Sequence, residues 1–585
     1  MLEKITGVCL VDQLRSIQLY EGDFNFFNRF VFGDAAQQAL ENAGFLPDEH
    51  YAQKESMSED AAFDQTLTED ISRQSRHSMA IVGIDAAQCY DRVNHLMMSL
   101  VWMELIGNVG AIEVALLCLS TMQFHQRTGF GNSVSFFGGP QLTIPFCKLG
   151  QGRKAPPASW LQLSSMIVGA YKALGYGAEI FNPITRAVDR SIGCLFVDDT
   201  NLYVWKEGLR SADEVWAETQ ESTTAWSSLL CATGGAPKPR KSYAYLIDYE
   251  YDAKVGWTYV DRSNRELQIY MPDGSWQPIL TNHPTKCEKY LGIHNSPEGP
   301  GLKHLEVLPN KAEVWVNHLK NGHLSSAWAW VAYRHQLWPG LRYGLGTLAN
   351  DLEEADELLH GLEFALLPLL GINQHIKTGW HQVKQTFGGV DLLSIATEQL
   401  IAMINMVLQH FVTPSSIGRK MSTSLRYLQL QLGCTGNPMS RDYQTWAHLA
   451  PRSWLKMLWR TLDKSCLDLR LRFDSLTIPR EGDIAIMDLL RAQRLSGDEM
   501  ARLNRCRVVC NALFLSYMVT ANGRTIERRR LWVGEALRLE YTFPRETPAP
   551  EDWKVWEEFW RSYTYGGLTL WRPLGKWIAP SHQCW

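Results

Sequence analysis

The chain has 585 residues, whereas a typical domain has roughly 150, so several folding units are expected. Hydrophobic residues make up 45% and charged residues 20% of the sequence, which is typical of globular proteins and excludes an intrinsically disordered chain. No apolar run reaches the roughly 18 residues of a membrane-spanning helix. Because the N-terminus also lacks a secretory signal pattern, we expect an intracellular protein with no membrane partner.

Charge is unevenly distributed along the chain, although the net charge is only −5. Residues 1–80 carry 6 basic and 14 acidic side chains, whereas residues 415–540 carry 21 basic and 12 acidic ones. The basic segment predicts a phosphate-binding surface, and the alternative is that scattered arginines solvate helix faces. The 12 cysteines form no Cys-x-x-Cys pair, which favours reduced structural thiols over zinc ligands.

The first informative element is an apolar strand that ends in a carboxylate. Residues 1–78 predict a small α+β lobe with an acidic helix near 58–72. The run 79–84 then leads directly into Asp85 and a following helix, so a carboxylate is expected at a strand end. The elements predicted next are a helix over 111–122, a hairpin within 130–145 and a helix over 158–174.

Two further carboxylates occur at a predicted hairpin tip. The apolar run 191–197 is followed by Asp198 and Asp199 and by a second strand over 201–204. A helix over 213–231 and a β-rich segment over 240–293 follow, and the pattern is predominantly helical from about residue 310.

Aspartates at the ends of neighbouring strands are the oxygen ligands that a two-metal site for phosphoryl transfer requires. Such a site drives in-line displacement at phosphorus and needs no side-chain nucleophile, because the protein positions the reactants and neutralises charge. An isolated Asp-Asp pair is more often a polar turn, so the surrounding blocks decide between the two interpretations.

Those blocks resemble motifs A to E of the reverse transcriptase family, in order and approximate spacing, and most closely the enzymes of non-LTR (LINE-like) retrotransposons. The similarity covers roughly residues 1–410. The blocks are Ile84-Asp85-Ala86-Ala87-Gln88-Cys89-Tyr90-Asp91, Gly150-Gln151-Gly152, Phe196-Val197-Asp198-Asp199, Lys241 and Tyr290-Leu291-Gly292, preceded by the fingers-like Leu14-Arg15-Ser16-Ile17.

The resemblance implies that Asp85 and Asp198 are the principal ligands of two Mg²⁺ ions, or of Mn²⁺, with Asp199 as an auxiliary ligand. Tyr90 would exclude a ribose 2′-hydroxyl, with a core tyrosine as the alternative. Arg15 would contact the incoming nucleotide through its guanidinium, with a surface arginine as the alternative. Gln151 and Gly152 would allow a close backbone approach to the incoming nucleotide or the template, with an ordinary loop as the alternative. Lys241 would lie near the triphosphate, and the adjacent Lys238 and Arg240 leave the choice of basic residue open.

The resemblance also implies the fold and its domains. We expect an α+β right-hand polymerase with partial fingers (1–78), a palm (79–300), a helical thumb (301–410) and a mainly helical, basic C-terminal region (411–585). No endonuclease or ribonuclease H pattern is found, so a fragment of a longer retroelement protein is expected.

The expected activity is RNA-directed DNA polymerisation, with an RNA template, a DNA or RNA primer and dNTPs as partners. Three alternatives remain: another palm polymerase such as an RNA-dependent RNA polymerase, a decayed or domesticated protein that only binds nucleic acid, and a maturase-like intron protein.

Overall fold

The computed structural model describes residues 2–3, 14–15, 21–128, 131–138, 149, 155–206, 211–252, 254–299, 302–350, 353–493, 495–532 and 546–578. The described part is a mixed α/β structure whose C-terminal region is mainly helical. The strands are β1 (Leu2–Glu3), β2 (Leu14–Arg15), β3 (Met79–Asp85), β4 (Gln123–Thr128), β5 (Gly131–Gly138), β6 (Ala178–Phe181), β7 (Val188–Ser191), β8 (Gly193–Phe196), β9 (Asp199–Val204), β10 (Tyr243–Ile247), β11 (Tyr249–Asp252), β12 (Gly256–Tyr259), β13 (Glu266–Tyr270), β14 (Trp276–Asn282), β15 (Glu288–Tyr290) and β16 (Ile293–Asn295).

Helices precede the sheet, cover it and make up most of the chain after residue 302. They are α1 (Gly22–Asn28), α2 (Ala36–Asn42), α3 (Ser58–Ser75), α4 (Cys89–Arg92), α5 (His95–Leu105), α6 (Val109–Thr121), α7 (Ala155–Ala173), α8 (Ala212–Ala232), α9 (Leu302–Gly322), α10 (Ser326–Ala332), α11 (Trp338–Arg342), α12 (Glu353–Leu366), α13 (Ile395–His410), α14 (Ser416–Leu432), α15 (Tyr443–Trp446), α16 (Trp454–Lys464), α17 (Ile486–Ala492), α18 (Gly497–Val509), α19 (Arg529–Trp532) and α20 (Pro550–Tyr563).

A six-stranded sheet in the order β13-β14-β10-β3-β9-β8 forms the centre of the fold. Strand β3 lies antiparallel to both of its neighbours, β10 and β9. Its residues alternate between two cores: Ile81 packs with one hydrophobic cluster, and Val82 and Ile84 pack with another that includes residues of α7 and α8. A strand buried on both faces has the continuous apolar sequence seen at 79–84.

Helix α3 is the acidic helix predicted near 58–72, and it is buried over nearly its whole length. It contacts β8 of the central sheet and α14 of the C-terminal region. Its carboxylates have partners: Asp64 Oδ2 forms a 2.6 Å ion pair with Lys420 Nζ, and Asp60 Oδ1 lies 3.0 Å from His410 Nε2. A buried carboxyl group is tolerated when it is paired, hydrogen-bonded or protonated. The long-range partners Lys420 and His410 therefore allow the acidic helix to lie in the core.

The hairpin predicted within 130–145 instead consists of β4 and β5, which begin at residue 123 and end at residue 138. The predicted boundaries at residues 78, 300 and 410 stay predictions. None of the described helices is both long and apolar enough to cross a membrane. The cysteines in the described ranges, Cys194 and Cys506 among them, are free thiols.

Candidate active site

The candidate site is built on the pairing of β3 with β9. Their antiparallel register places Asp85 directly opposite Asp199. Directly opposed residues have side chains on the same face, with Cβ atoms about 5 Å apart. Like charges in such a pair repel each other, so this arrangement favours a cation between the two carboxylates.

The turn that presents Asp198 is strained and is held from two sides. Val197 and Asp198 join β8 to β9, and Val197 has a φ of 57°, which is costly for a β-branched residue. The Val197 carbonyl accepts a 2.6 Å hydrogen bond from the indole N–H of Trp160, and the Asp198 carbonyl accepts one of 3.3 Å from the Ala86 N–H. The second bond ties the hairpin tip to the chain just after Asp85.

The three carboxylates influence one another electrostatically. The pKa of Asp199 is raised to about 6, first by burial and then by the negative charges of Asp198 and Asp85, while the Lys241 ammonium opposes the shift. Lys241 Nζ lies 3.0 Å from Asp85 Oδ2, and this hydrogen bond raises the pKa of Lys241. The site therefore combines a repelling group of carboxylates with a cation that relieves part of the repulsion.

A cavity of about 440 Å³ opens at this point, and Asp85 and Asp199 form part of its wall. Its basic lining residues are Arg240, Lys241, Lys286 and Lys289. Carboxylate oxygens are the donors that Mg²⁺ prefers, so the donor set of Asp85, Asp198 and Asp199 fits that metal in its chemistry. Within the described ranges, however, no three His, Cys, Asp or Glu side chains already have a metal-holding arrangement.

Tyr90 lies on α4, close enough to Asp198 for that charge to contribute to its pKa, which burial raises most. Its backbone carbonyl accepts a 2.9 Å hydrogen bond from the Leu149 N–H. Tyr90 and Lys241 thus lie near the aspartates, and their roles toward a nucleotide stay predictions. Gln151 and Gly152, which follow Leu149 closely, lie outside the described residues. Arg15 belongs to β2, which pairs with β1, and its side chain lies outside the description.

The predicted primer-grip turn, Leu291-Gly292, joins β15 to β16. Both residues have positive φ, 49° and 87°, as a two-residue type I′ hairpin requires. The hydroxyl of Tyr343, just after α11, donates a 2.6 Å hydrogen bond to the Leu291 carbonyl and lies 2.9 Å from Ser58 Oγ. Tyr343 therefore connects this turn to the start of α3.

Sequence reasoning missed two residues that support the site. Trp160, described above, is one, and no local signal identifies it because its partner is 37 residues away. Asn201 is the other: its side-chain amide donates to Gln65 Oε1 at 2.6 Å, and its Oδ1 accepts from the Tyr243 hydroxyl at 3.2 Å. A polar residue within an apolar strand was the available signal for Asn201.

No protein-family model matches the chain, and no curated protein matches it as a relative. The solved structures similar to it include telomerase from Candida albicans and telomerase from Candida tropicalis, each in complex with a TWJ fragment of telomeric RNA. Identity is 9% and 12%, and the TM-scores are 0.25 and 0.28. The matches cover 68% of this chain and 57% of each telomerase chain.

Proposed function

We propose that the chain is a nucleotidyltransferase of the reverse transcriptase type, which extends a primer 3′-hydroxyl with dNTPs on an RNA template. The observation that carries the proposal is the register of β3 and β9, which opposes Asp85 to Asp199 with Asp198 at the adjoining hairpin tip. The resemblance of the motif blocks to non-LTR retrotransposon enzymes supports the finer assignment.

In the proposed reaction the primer 3′-oxygen bonds to the α-phosphorus of the dNTP. The bond to pyrophosphate breaks, and the hydroxyl proton is released. Asp85, Asp198 and Asp199 would hold Mg²⁺ or Mn²⁺, which when bound supplies a lower pKa at the attacking hydroxyl and charge neutralisation at the leaving group. The hydrogen bonds of Trp160 and Ala86 fix the turn, so that the carboxylates are preorganised before substrate arrives.

The basic side chains of the cavity would bind the triphosphate. Lys241 has a raised pKa and therefore stays protonated at neutral pH, so it can neutralise the phosphates and donate a proton to the leaving pyrophosphate. Arg240 and Lys289 line the same cavity and would add positive charge. Tyr90 would contact the sugar and reject a 2′-hydroxyl through steric overlap.

Primer extension by the purified chain tests the proposal. We expect dNTP incorporation on a primed RNA template that Asp198→Asn abolishes, because the substitution removes one carboxylate charge and little volume. Glu250→Gln, an exposed position on β11, is the matched control and should retain full activity. Equal background synthesis by the wild type and Asp198→Asn contradicts the proposal.

The same assay separates the competing functions. If Tyr90 selects the sugar, Tyr90→Val should increase ribonucleotide incorporation relative to deoxynucleotide incorporation. Wild-type preference for ribonucleotides would instead favour an RNA-dependent RNA polymerase.

A protein that binds nucleic acid without polymerising is the second candidate function, because the ion pair of Lys241 with Asp85 occupies a carboxylate that the metals would need.

A further inference from the structure

Several basic side chains of residues 415–540 are used within the fold. Arg507 and Arg530 are almost fully buried, and Arg505 forms an ion pair with Asp552 at 3.1 Å. The positive net charge of this segment therefore does not by itself indicate a binding surface. Exposed cations that have no partner in the fold carry more weight, above all where they lie beside exposed aromatic rings.

Two aromatic rings lie side by side on the surface after α20. The ring centroids of Tyr565 and Trp571 are 5.0 Å apart, with an angle of 47° between the ring planes. Tyr565 is 47% exposed and Trp571 is 72% exposed, whereas tryptophan is highly buried in most folded proteins. Adjacent exposed aromatic surface of this kind is typical of an interaction site.

The chain segment that carries the two rings is anchored to neighbouring parts of the fold. The N–H of Leu570, just before Trp571, donates a 2.8 Å hydrogen bond to the Arg524 carbonyl. Farther along, the buried guanidinium of Arg480 donates to the Gly575 carbonyl at 3.0 and 2.8 Å. The rings are therefore held in place before a ligand arrives, which lowers the entropic cost of binding one.

Two arginines lie beside the rings in the chain. Arg572 follows Trp571 directly, and Arg524 is joined through its backbone to the residue before Trp571. Both arginines are exposed, and within the described ranges neither guanidinium has a hydrogen-bond or ion-pair partner. The two chain segments that meet here, 519–526 and 564–578, contain no Asp or Glu. The surface therefore offers aromatic faces next to unneutralised positive charge.

We propose that Tyr565, Trp571, Arg524 and Arg572, which we call the C-terminal platform, bind single-stranded nucleic acid. Unpaired bases would stack on the two rings, because every base has a π face, and the two guanidinium groups would bind the flanking phosphates. A base within a duplex has both faces covered by its neighbours, so the rings favour a single strand. None of the four residues lines the cavity that contains Asp85. The choice of nucleic acid over another anionic partner rests on the proposed function, because a polymerase that copies RNA needs a single-stranded template.

The first test measures the affinity of the full chain for a labelled oligouridylate of about ten nucleotides, which is within the usual site size of such surfaces. Trp571→Leu keeps an apolar side chain but removes the ring, and it should weaken binding about tenfold, the value of one stacked base. Trp571→Phe keeps a ring and should retain most of the affinity. The matched control is Trp276→Leu, because Trp276 is 48% exposed and also lies beside a tyrosine, Tyr270, at 5.4 Å. Thermal unfolding of each variant checks that the fold is retained.

The second test measures the same affinity as a function of salt. Each phosphate contact on a single strand contributes about 0.7 to the slope of log K against log salt, so Arg524→Gln/Arg572→Gln should lower the magnitude of that slope by about 1.4. Lys254→Gln/Lys554→Gln, which removes two exposed charges elsewhere, should leave the slope unchanged. Trp571→Leu should weaken binding without changing the slope, because it removes no phosphate contact.

Equal affinities of Trp571→Leu and Trp276→Leu for the oligonucleotide would overturn the inference, as would equal salt slopes for the arginine variant and its control. Tighter binding of polyglutamate than of RNA at the C-terminal platform would overturn it in favour of a protein partner. If the wild type extends primers but Trp571→Leu binds RNA normally, only the platform inference fails. If Trp571→Leu weakens RNA binding but the wild type extends no primer, only the polymerase proposal fails.

Discussion

Replacing Glu69 with glutamine tests whether the buried network behind the candidate site has the electrostatics that the structure indicates. Glu69 lies in α3, and its carboxylate accepts hydrogen bonds of 2.8 Å from both Gln65 and Asn295. Gln65 in turn accepts from Asn201, which lines the candidate cavity. Burial raises the pKa of Glu69 from its usual 4.5 to about 7, so this carboxyl titrates close to neutral pH.

The raised pKa fixes the sign of the pH dependence. The stabilising contribution of the protonated carboxyl is complete below about pH 4.5 and is lost as the pH rises through about 7, because unfolding then releases a proton. A difference of one in pKa corresponds to about 1.4 kcal/mol, so this group lowers the free energy of unfolding by about 3 kcal/mol over that window. Glu69→Gln has no such proton. Its free energy of unfolding, measured relative to that of the wild type, should therefore increase by about 3 kcal/mol as the pH rises through that window.

Urea unfolding followed by tryptophan fluorescence at a series of pH values measures this difference. The predicted quantity is the change in relative stability with pH, so any constant effect of the substitution on packing cancels. Glu250→Gln, exposed on β11, should parallel the wild type at every pH. If Glu69→Gln also parallels the wild type from acid to mildly alkaline pH, the raised pKa of Glu69 is refuted.

Two further substitutions test the supports of the site. Trp160→Phe removes the hydrogen bond to the strained turn and should lower kcat for primer extension about tenfold with KM for dNTP unchanged. The control is Trp102→Phe, because the indole N–H of Trp102 has no hydrogen-bond partner among the described residues. Equal kcat values for the two variants would contradict the supporting role of Trp160. Gly193→Ala would bring a Cβ within 1.9 Å of the Asn201 carbonyl at a φ of +146° and should cost about 3 kcal/mol or more of stability. Gly169→Ala, which meets nothing within 4 Å, should unfold no earlier than the wild type, and similar melting temperatures for both variants would contradict the steric argument.

Local patterns were sufficient to predict the elements that carry the aspartates. The strand ending at Asp85 and the hairpin presenting Asp198 are both present, because apolar runs that end in polar turns specify strands within a few residues. The burial of α3 was not predictable, because its acidic sequence is typical of a solvated helix. Its partners Lys420 and His410 lie 356 and 350 residues along the chain from Asp64 and Asp60.

The sequence by itself determined where strands end in carboxylates and where the chain turns. Only the tertiary structure decided that Asp85 opposes Asp199, that Trp160 bonds the turn between β8 and β9, and that Tyr343 fixes the turn at Leu291. Each of these contacts joins residues distant in sequence. Their geometry depends on strand register, and register is set by how the faces of the whole sheet are buried rather than by any local preference.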